Sequence, residues 1–214
     1  MKALLYKQLR LVRHPMTLVF ALFGAMTVIP AYPYTVAYFY VTLGIFFLYI
    51  NIREQRDADY SAILPICKGD TVRVSILFCA LVELASVLIS VPFCMLSVRI
   101  NPNGGNPVGL DANAALLAAA LLIFTLFNTI FFPAFYKSGY QVGKSYLKAV
   151  IPTGFLMLIL EALPHFPGML WLNETTAAAN FRQLPLLAVC LAVFGGVTAL
   201  SIRTSVVRYE KVDL

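Results

Sequence analysis

Hydrophobic residues occur in long runs along this chain, and short polar or turn-forming stretches separate the runs. The 38 residues before Arg53 carry no charge. As one helix they would be about 57 Å long, nearly twice the ~30 Å hydrocarbon core of a bilayer. Pro30 and Pro33 interrupt them, and a proline inside a helix removes a hydrogen bond and clashes with the preceding turn. The pattern therefore predicts two helices, at about 15–31 and 34–52, joined by a tight turn.

Four further runs complete the predicted set of membrane spans. The third run is broken only by Glu83, the fourth has no charge, and the fifth carries Glu161. Pro152 lies near the start of the fifth run, where proline suits the first turn of a helix. These runs predict spans at about 74–98, 112–135, 149–165 and 183–202. The sequence thus predicts an all-α integral membrane protein, with six transmembrane helices in a single domain over residues 1–214.

Composition agrees with a membrane protein and excludes several other classes. Of the 214 residues, 60% are hydrophobic and only 12% are charged, whereas a globular domain carries roughly 25% charged residues. A soluble enzyme, a nucleic-acid-binding module and a disordered chain are therefore excluded. The four cysteines show no paired spacing, so neither a disulfide framework nor a metal site is predicted.

The basic residues predict how the spans are oriented. Lys and Arg number 16, against 10 Asp and Glu. With six spans and the amino terminus inside, 14 of the 16 face the cytoplasm and only Arg99 and Arg182 lie outside. Such an excess is typical of cytoplasmic loops. A five-span chain would place Arg203, Arg208 and Lys211 outside, so six spans with both termini in the cytoplasm are predicted.

The amino-terminal segment, residues 1–13, interleaves leucine and valine with lysine and arginine. As a helix, it would present an apolar face and a basic face, which is the pattern of a helix lying in the membrane interface. The alternative is that it is simply a basic flank of the first span. The sequence leaves both interpretations open.

Two carboxylates fall within predicted spans. Glu83 is near the middle of the third span, and Glu161 is toward the external end of the fifth. A charge deep in a bilayer is costly, so such residues tend to face a bundle interior or a water-filled path. We predict that they line a substrate path that favours cationic or polar groups. The alternative is that each is protonated or bonded to a neighbouring hydroxyl or backbone group.

Small residues recur at a spacing of four in the sixth span, at Ala188, Ala192 and Gly196, and alanines are frequent at the start of the fourth. Small residues at this spacing let helices approach closely. They could serve packing within one chain or between two chains, and both uses stay open.

No catalytic constellation accompanies the spans. The stretch Gly139–Ser145 resembles a phosphate-binding loop, but three residues separate its glycines where the working pattern needs four. Predicted transmembrane runs lie on both sides of it, and no strand precedes it. The chain is therefore predicted not to be an enzyme.

The longest predicted cytoplasmic connection, residues 53–73, mixes four basic and four acidic residues with apolar ones. It is long enough for a short amphipathic helix with apolar side chains on one side, ended by a proline. Such a helix suggests a docking element for a partner protein, and the alternative is a solvated loop. The candidate docking residues are Glu54, Asp57, Asp59, Tyr60, Ile63, Leu64 and Pro65.

Three stretches of the chain resemble the ABC-2 family of exporter permeases, which are small six-span subunits that pair with a separate ATPase. Leu5-Tyr-Lys7-Gln-Leu9 resembles the family's amphipathic start, although glutamine stands where aspartate is common. Residues 54–72 resemble its acidic and aromatic stretch followed by Leu-Pro and a basic turn, with Tyr60 where tryptophan is frequent. Residues 135–144 resemble its internal loop after the fourth span. The layout is most similar to short bacterial members, which include permeases for phenol-soluble modulins and for lantibiotic immunity.

The resemblance implies an assembly in the bacterial cell membrane. A homodimer of permeases would sit on two copies of an ABC ATP-binding subunit. Residues 1–13 would form an elbow helix, and residues 54–65 would form a coupling helix that docks in a groove of the ATPase. ATP and Mg²⁺ would bind to the partner subunit, and this chain would bind no cofactor. Its remaining partner would be membrane lipid and not nucleic acid.

The function implied is that of a permease subunit of an ABC exporter, which moves amphipathic or hydrophobic cargo outward. Membrane-active peptides are one such cargo. The first alternative is an ATP-independent channel or secondary transporter that uses Glu83 and Glu161 as proton or ion sites. The second is a subunit that only binds a peptide, for sensing or immunity.

Overall fold

The chain folds as a bundle of apolar helices. The computed structural model describes residues 6–7, 15–29, 32–55, 67–101, 106–138 and 141–211, and no strand occurs within them. The all-α prediction is thereby confirmed. The main helices are α1 (Pro15–Ala21, continued by the 3-10 segment Leu22–Val28), α2 (Thr35–Glu54), α3 (Lys68–Ile100), α4 (Ala114–Lys137), α5 (Val142–Ala162) and α6 (Ala177–Tyr209). Two short 3-10 turns, Leu163–His165 and Leu170–Asn173, lie between α5 and α6.

α4 is the central helix of the bundle. It packs most extensively against α6 and also contacts α5, α2 and α3. Its side chains are buried around most of its circumference, including Phe124, Phe127 and Phe131, as expected for a helix that is apolar on every side. Asn113 caps its start, because Oδ1 of Asn113 accepts a hydrogen bond from the backbone N–H of Leu116 (3.0 Å). This bond satisfies one of the free N–H groups of the first turn.

Within the described residues, five helices, α2 to α6, are long and apolar enough to cross a membrane. α1 and its 3-10 continuation are seven residues each, and together they fall short of the ~20 residues of a typical span. They cover most of the predicted first span at 15–31. Most of the predicted elbow helix, residues 1–5 and 8–13, lies outside the described residues.

α3 and α6 are longer than the spans predicted at 74–98 and 183–202. Each contains 33 residues and is about 50 Å long, so each projects beyond a ~30 Å hydrocarbon core. The first turns of α3 include Asp70 and Arg73, which form an ion pair at 2.8 Å. Polar turns of this kind extend a helix past the membrane, and hydropathy does not mark where such a helix ends.

α5 begins at Val142, before the predicted span at 149–165. Pro152 therefore lies inside the helix and not in its first turn. The early start has a packing reason, because Val142 is buried and Oγ of Ser145 lies 3.3 Å from Oγ of Ser138 at the end of α4. The helix accommodates Pro152 at the loss of one backbone hydrogen bond.

The bundle has two chemically different ends. We call one the basic end; there α2, α4 and α6 end and α3 and α5 begin. Its described basic residues are Arg53, Lys68, Arg73, Lys137, Lys144, Lys148, Arg203, Arg208 and Lys211. The opposite end contains residues 106–113 and the two 3-10 turns after α5, and its described basic residues are Arg99 and Arg182.

Two glycines allow the short first segment to approach its neighbours closely. A Cβ placed on Gly24 would lie 2.5 Å from the carbonyl oxygen of Ser86 and from Oγ of Ser90 in α3. In α2, the carbonyl oxygen of Gly44 accepts a hydrogen bond from Oγ1 of Thr17 (2.9 Å). Small residues at such crossings are what lets membrane helices pack backbone to backbone.

Replacing Gly24 by alanine should destabilise the bundle, because the added methyl group has no room against Ser86 and Ser90. Overpacking of this kind costs about 1–3 kcal/mol. We expect a lower melting temperature for the purified variant in detergent. Gly154→Ala is the matched control, since nothing lies within 4 Å of a Cβ at that position. Equal melting temperatures for the two variants would contradict the close approach at Gly24.

Candidate functional site

At the basic end α2 ends and α3 begins, and the predicted coupling segment connects these two helices along the chain. Glu54, the exposed last residue of α2, is described. The other six candidate docking residues lie outside the described residues: Asp57, Asp59, Tyr60, Ile63, Leu64 and Pro65. The structure describes the chain again from Cys67, and α3 begins at Lys68. Both ends of the segment are therefore continuous with long apolar helices.

A group of buried aromatic side chains lies just inside this end. We call it the aromatic cluster, and it comprises Tyr49, Phe131, Phe132, Phe135, Tyr136 and Tyr209. The Tyr49 ring, from α2, lies 5.1 Å from that of Phe131 and 4.6 Å from that of Phe135, both from α4, measured between centroids. The centroids of the Tyr136 and Tyr209 rings lie 5.5 Å apart. Tyr209 is in α6, so this pair connects α6 to the cluster. Edge-to-face pairs of this kind contribute about 0.5–1.5 kcal/mol each beyond their buried area.

Polar and close backbone contacts join α3 to the same cluster. The hydroxyl oxygen of Tyr49 lies 3.2 Å from Oγ of Ser75 and 3.4 Å from the hydroxyl oxygen of Tyr136. At the start of α3, a Cβ on Gly69 would lie 3.1 Å from Cγ1 of Val206 in α6. Four helices, α2, α3, α4 and α6, are thus joined near the points where the predicted coupling segment leaves α2 and enters α3.

This arrangement suits the transmission of movement between helices. Within the part of the chain that the structure describes, no group of three or more His, Cys, Asp or Glu side chains could hold a metal ion. Close-packed interiors have low compressibility and transmit strain. A displacement of the segment between α2 and α3 would therefore move four helices together.

Glu83 is fully buried in the middle of α3. Its Oε2 accepts a hydrogen bond from Nδ2 of Asn128 in α4 (2.8 Å). The backbone carbonyl of Asn128 in turn accepts one from Oγ of Ser201 in α6 (2.7 Å). Oε1 of Glu83 and Oδ1 of Asn128 have no hydrogen-bond partner among the described residues. A proton on Oε1 would remove the buried charge and supply a donor; the role of Glu83 in a substrate path stays a prediction.

Glu161 connects elements at the opposite end. Its Oε1 accepts hydrogen bonds from the backbone N–H and the hydroxyl of Thr35 (3.0 and 2.6 Å). Its Oε2 accepts one from the backbone N–H of Leu110 (2.8 Å). Thr35 is the first residue of α2, so the carboxylate also lies at the positive end of that helix dipole. A Cβ on Gly109 would lie 1.6 Å from Oε2, so only glycine leaves room for this contact.

These contacts correspond to the alternative in which Glu161 is bonded to neighbouring hydroxyl and backbone groups. Glu161 also lines a cavity of about 450 Å³ together with His165 and Phe166. Its predicted role in a substrate path therefore stays a prediction, to be tested separately from its structural contacts.

Polar side chains that the sequence did not single out hold the loops of the opposite end. Nδ2 of Asn113 donates a hydrogen bond to the carbonyl oxygen of Leu172 (2.6 Å). The carboxylate of Asp111 accepts one from the backbone N–H of Asn106. Burial raises the pKa of Asp111, and this hydrogen bond partly opposes the rise. The sequence signal for these contacts is the density of asparagine in residues 101–113.

The small residues of α4 and α6 face different surroundings. The alanines at the start of α4 (114, 115, 118 and 119) are buried in the bundle. Ala188, Ala192 and Gly196 of α6 are exposed, and nothing lies within 4 Å of a Cβ on Gly196. The alanines of α4 therefore serve packing within the chain, whereas the α6 stripe faces outward.

Changing Glu83 to glutamine should leave the bundle stable, because an amide can both donate to and accept from the side chain of Asn128. Changing Glu83 to leucine leaves that side chain unpaired, and it should lower stability by about 0.6–1.7 kcal/mol, the range for polar contacts between membrane helices. Melting temperatures in detergent check both variants. If Glu83→Gln transports cargo as well as the unchanged protein, the predicted role of Glu83 in a substrate path is wrong.

Changing Glu161 to glutamine should loosen the opposite end, since an amide nitrogen then replaces one accepting oxygen and faces an N–H group. A buried donor left without a partner costs about 1–3 kcal/mol. Hydrogen exchange measured by mass spectrometry should be faster at the amides of Thr35 or Leu110. Glu174→Gln serves as the control, because Glu174 is an exposed carboxylate at the same end. Unchanged exchange in Glu161→Gln would argue against the observed contacts.

One protein family matches nearly the whole chain. The profile of the family described as ABC-2 family transporter protein matches residues 3–210. No curated protein and no solved structure matches the chain. The matched residues include all six helices and the connection between α2 and α3, and the apolar helices agree with a membrane location. The chain therefore belongs to the ABC-2 transporter family, as a membrane permease subunit that pairs with an ABC ATP-binding subunit, and not as an enzyme.

Proposed function

We propose that this permease is part of an exporter that moves amphipathic or hydrophobic cargo, such as membrane-active peptides, out of the cell. The energy comes from hydrolysis of ATP, bound with Mg²⁺ on the partner subunit, and this chain binds no cofactor. The observation that carries the proposal is the aromatic cluster, which joins four helices near both ends of the predicted coupling segment. A partner that acts on this segment acts on most of the bundle at once.

The basic end faces the cytoplasm in this proposal. Arg53 and Lys68 flank the coupling segment, and Lys137, Lys144 and Lys148 surround the connection from α4 to α5. An excess of such residues is the usual mark of the cytoplasmic side. Both termini then lie in the cytoplasm of a bacterial cell, on the side where ATP is available.

The proposed coupling runs through the ends of α2 and α3. Closure of the ATP-bound partner pushes on a coupling helix at residues 54–65, with Tyr60 and Leu64 seated in a groove of the ATPase. The push reaches Tyr49 of α2 and Ser75 of α3, whose oxygen atoms lie 3.2 Å apart. The aromatic cluster then carries the movement to α4 and α6, and the spans rearrange around a path.

The proposed assembly contains two permease copies on two ATP-binding subunits, with the path between the permeases. α5 and α6 keep most of their membrane-length surface exposed in the single chain. The outward stripe Ala188, Ala192 and Gly196 offers a surface for close packing against a second copy. Membrane lipid covers the rest of the surface, and nucleic acid is not a partner.

An exposed groove supports amphipathic cargo. It lies between α4, α5 and α6 and has a volume of about 880 Å³. Leu122, Leu156 and Leu200 contribute apolar walls, whereas Thr204 and Arg208 make its basic end polar. A segment with apolar and polar faces matches such walls better than a strongly charged solute does.

Replacing both Tyr60 and Leu64 by glutamate should prevent the partner ATPase from binding, because it places unpaired charges in an apolar contact. The permease is co-expressed with its cognate ATP-binding subunit and affinity-purified, and the co-purified ATPase is quantified. We expect a loss of at least about tenfold, which corresponds to 1.4 kcal/mol.

Lys144→Glu is the control for this experiment, since Lys144 is an exposed residue of the basic end in another connection. The melting temperature of each variant shows that the bundle is intact. Full retention of the ATPase by the Tyr60 and Leu64 variant, or an equal loss in Lys144→Glu, would contradict the assignment of the coupling segment.

A further inference from the structure

An apolar groove lies between α3 and α6 at the opposite end of the bundle. Its volume is about 540 Å³, within the roughly 300–1,000 Å³ that small-molecule sites occupy. The groove opens sideways, because Met95 on one wall and Leu184 on the other are exposed. Its apolar walls include Val91, Met95, Val98, Phe181, Leu184 and Leu187.

The outer part of this groove is polar. Asn113, Thr175 and Asn180 line it together with Arg99. The two asparagines are already engaged inside the protein. Oδ1 of Asn180 accepts a hydrogen bond from the backbone N–H of Ala114 (2.9 Å), and Nδ2 of Asn113 donates to two backbone carbonyls. They line the outer part of the groove, and few of their hydrogen-bonding groups are left to bind a ligand.

Among the described residues that line the groove, Arg99 is the one cation. Its side chain is exposed, and it makes no ion pair or side-chain hydrogen bond with any residue in the described ranges. The carboxylates of Asp111 and Glu161 at this end are buried and accept backbone N–H groups instead. An unpaired guanidinium beside apolar walls is complementary to an anion that carries an apolar chain.

The position of Arg99 along α3 matches the depth of lipid headgroups. The apolar run of α3, residues 74–98, is centred on Ser86. Arg99 follows Ser86 by 13 residues, which is about 20 Å along a helix axis, and half of a bilayer including its headgroups is roughly 20–22 Å thick. A span centred on Ser86 therefore places the guanidinium beside lipid phosphates and the apolar walls beside acyl chains.

We propose that this groove binds a phospholipid, with an acyl chain between α3 and α6 and the phosphate on the guanidinium of Arg99. The planar fork of a guanidinium matches two phosphate oxygens. The groove lies at the end opposite the aromatic cluster, so the proposal does not depend on the exporter function. A bound lipid would fill the space between α3 and α6, which the protein itself leaves open.

Native mass spectrometry of the full-length chain tests the site, with phosphatidylglycerol titrated into detergent micelles as the probe. Arg99→Gln should weaken binding at least about tenfold, as expected for the loss of the charge-assisted hydrogen bonds to the phosphate. Arg182→Gln is the matched control, because Arg182 is the other exposed arginine at this end and does not line the groove. Leu184→Trp should also weaken binding, since it fills the apolar part of the groove.

Two further probes show which part of the phospholipid the groove recognises. A diacylglycerol with the same chains lacks the phosphate, and glycerol 3-phosphate lacks the chains; both should bind the unchanged protein more weakly than phosphatidylglycerol. Melting temperatures verify that each variant is folded. Equal binding by Arg99→Gln, equal loss in Arg182→Gln, or full binding of glycerol 3-phosphate would overturn the proposal. Arg99-dependent binding of an amphipathic peptide together with no binding of phosphatidylglycerol would overturn it too, in favour of a cargo site.

Discussion

The absence of water from a bilayer core is the constraint on which this fold depends. A polar group buried there without a partner is costly, so backbone groups pair within helices and polar side chains pair with other parts of the chain. Thr17 bonds to a carbonyl of α2, Glu83 to Asn128 of α4, and Glu161 to the start of α2. Each contact satisfies a polar group and at the same time fixes one segment against another.

The two ends of the bundle are held by different interactions. At the opposite end, Glu161 and the asparagines bind backbone groups of the loops, and hydrogen bonds of this kind allow little change in distance or angle. At the basic end, aromatic rings around Tyr49 pack helices against one another, and apolar packing is less directional. A subunit that is firmly connected at one end and packed through rings at the other fits the proposal that movement enters at the basic end.

The buried carboxylates show why hydropathy alone cannot assign roles. Glu83 and Glu161 both interrupt apolar runs and look equivalent in the sequence. In the structure Glu161 accepts three hydrogen bonds, whereas Glu83 accepts one and keeps an oxygen without a partner among the described residues. Their partners Thr35 and Asn128 lie 126 and 45 positions away along the chain. No local sequence pattern indicates which residues so far apart in the chain become partners.

Local properties of the chain were sufficient for the class of the protein. Runs of apolar residues predicted helices close to the observed α2 and α4, and short motifs pointed to the ABC-2 family, because hydropathy and charge act residue by residue. The docking residues around Tyr60 remain predictions from sequence. Only the tertiary structure decided that α3 and α6 extend past the membrane core, that Pro152 lies within α5, and that an apolar groove surrounds Arg99. These features depend on contacts between residues far apart in the chain, which become neighbours only when the helices pack.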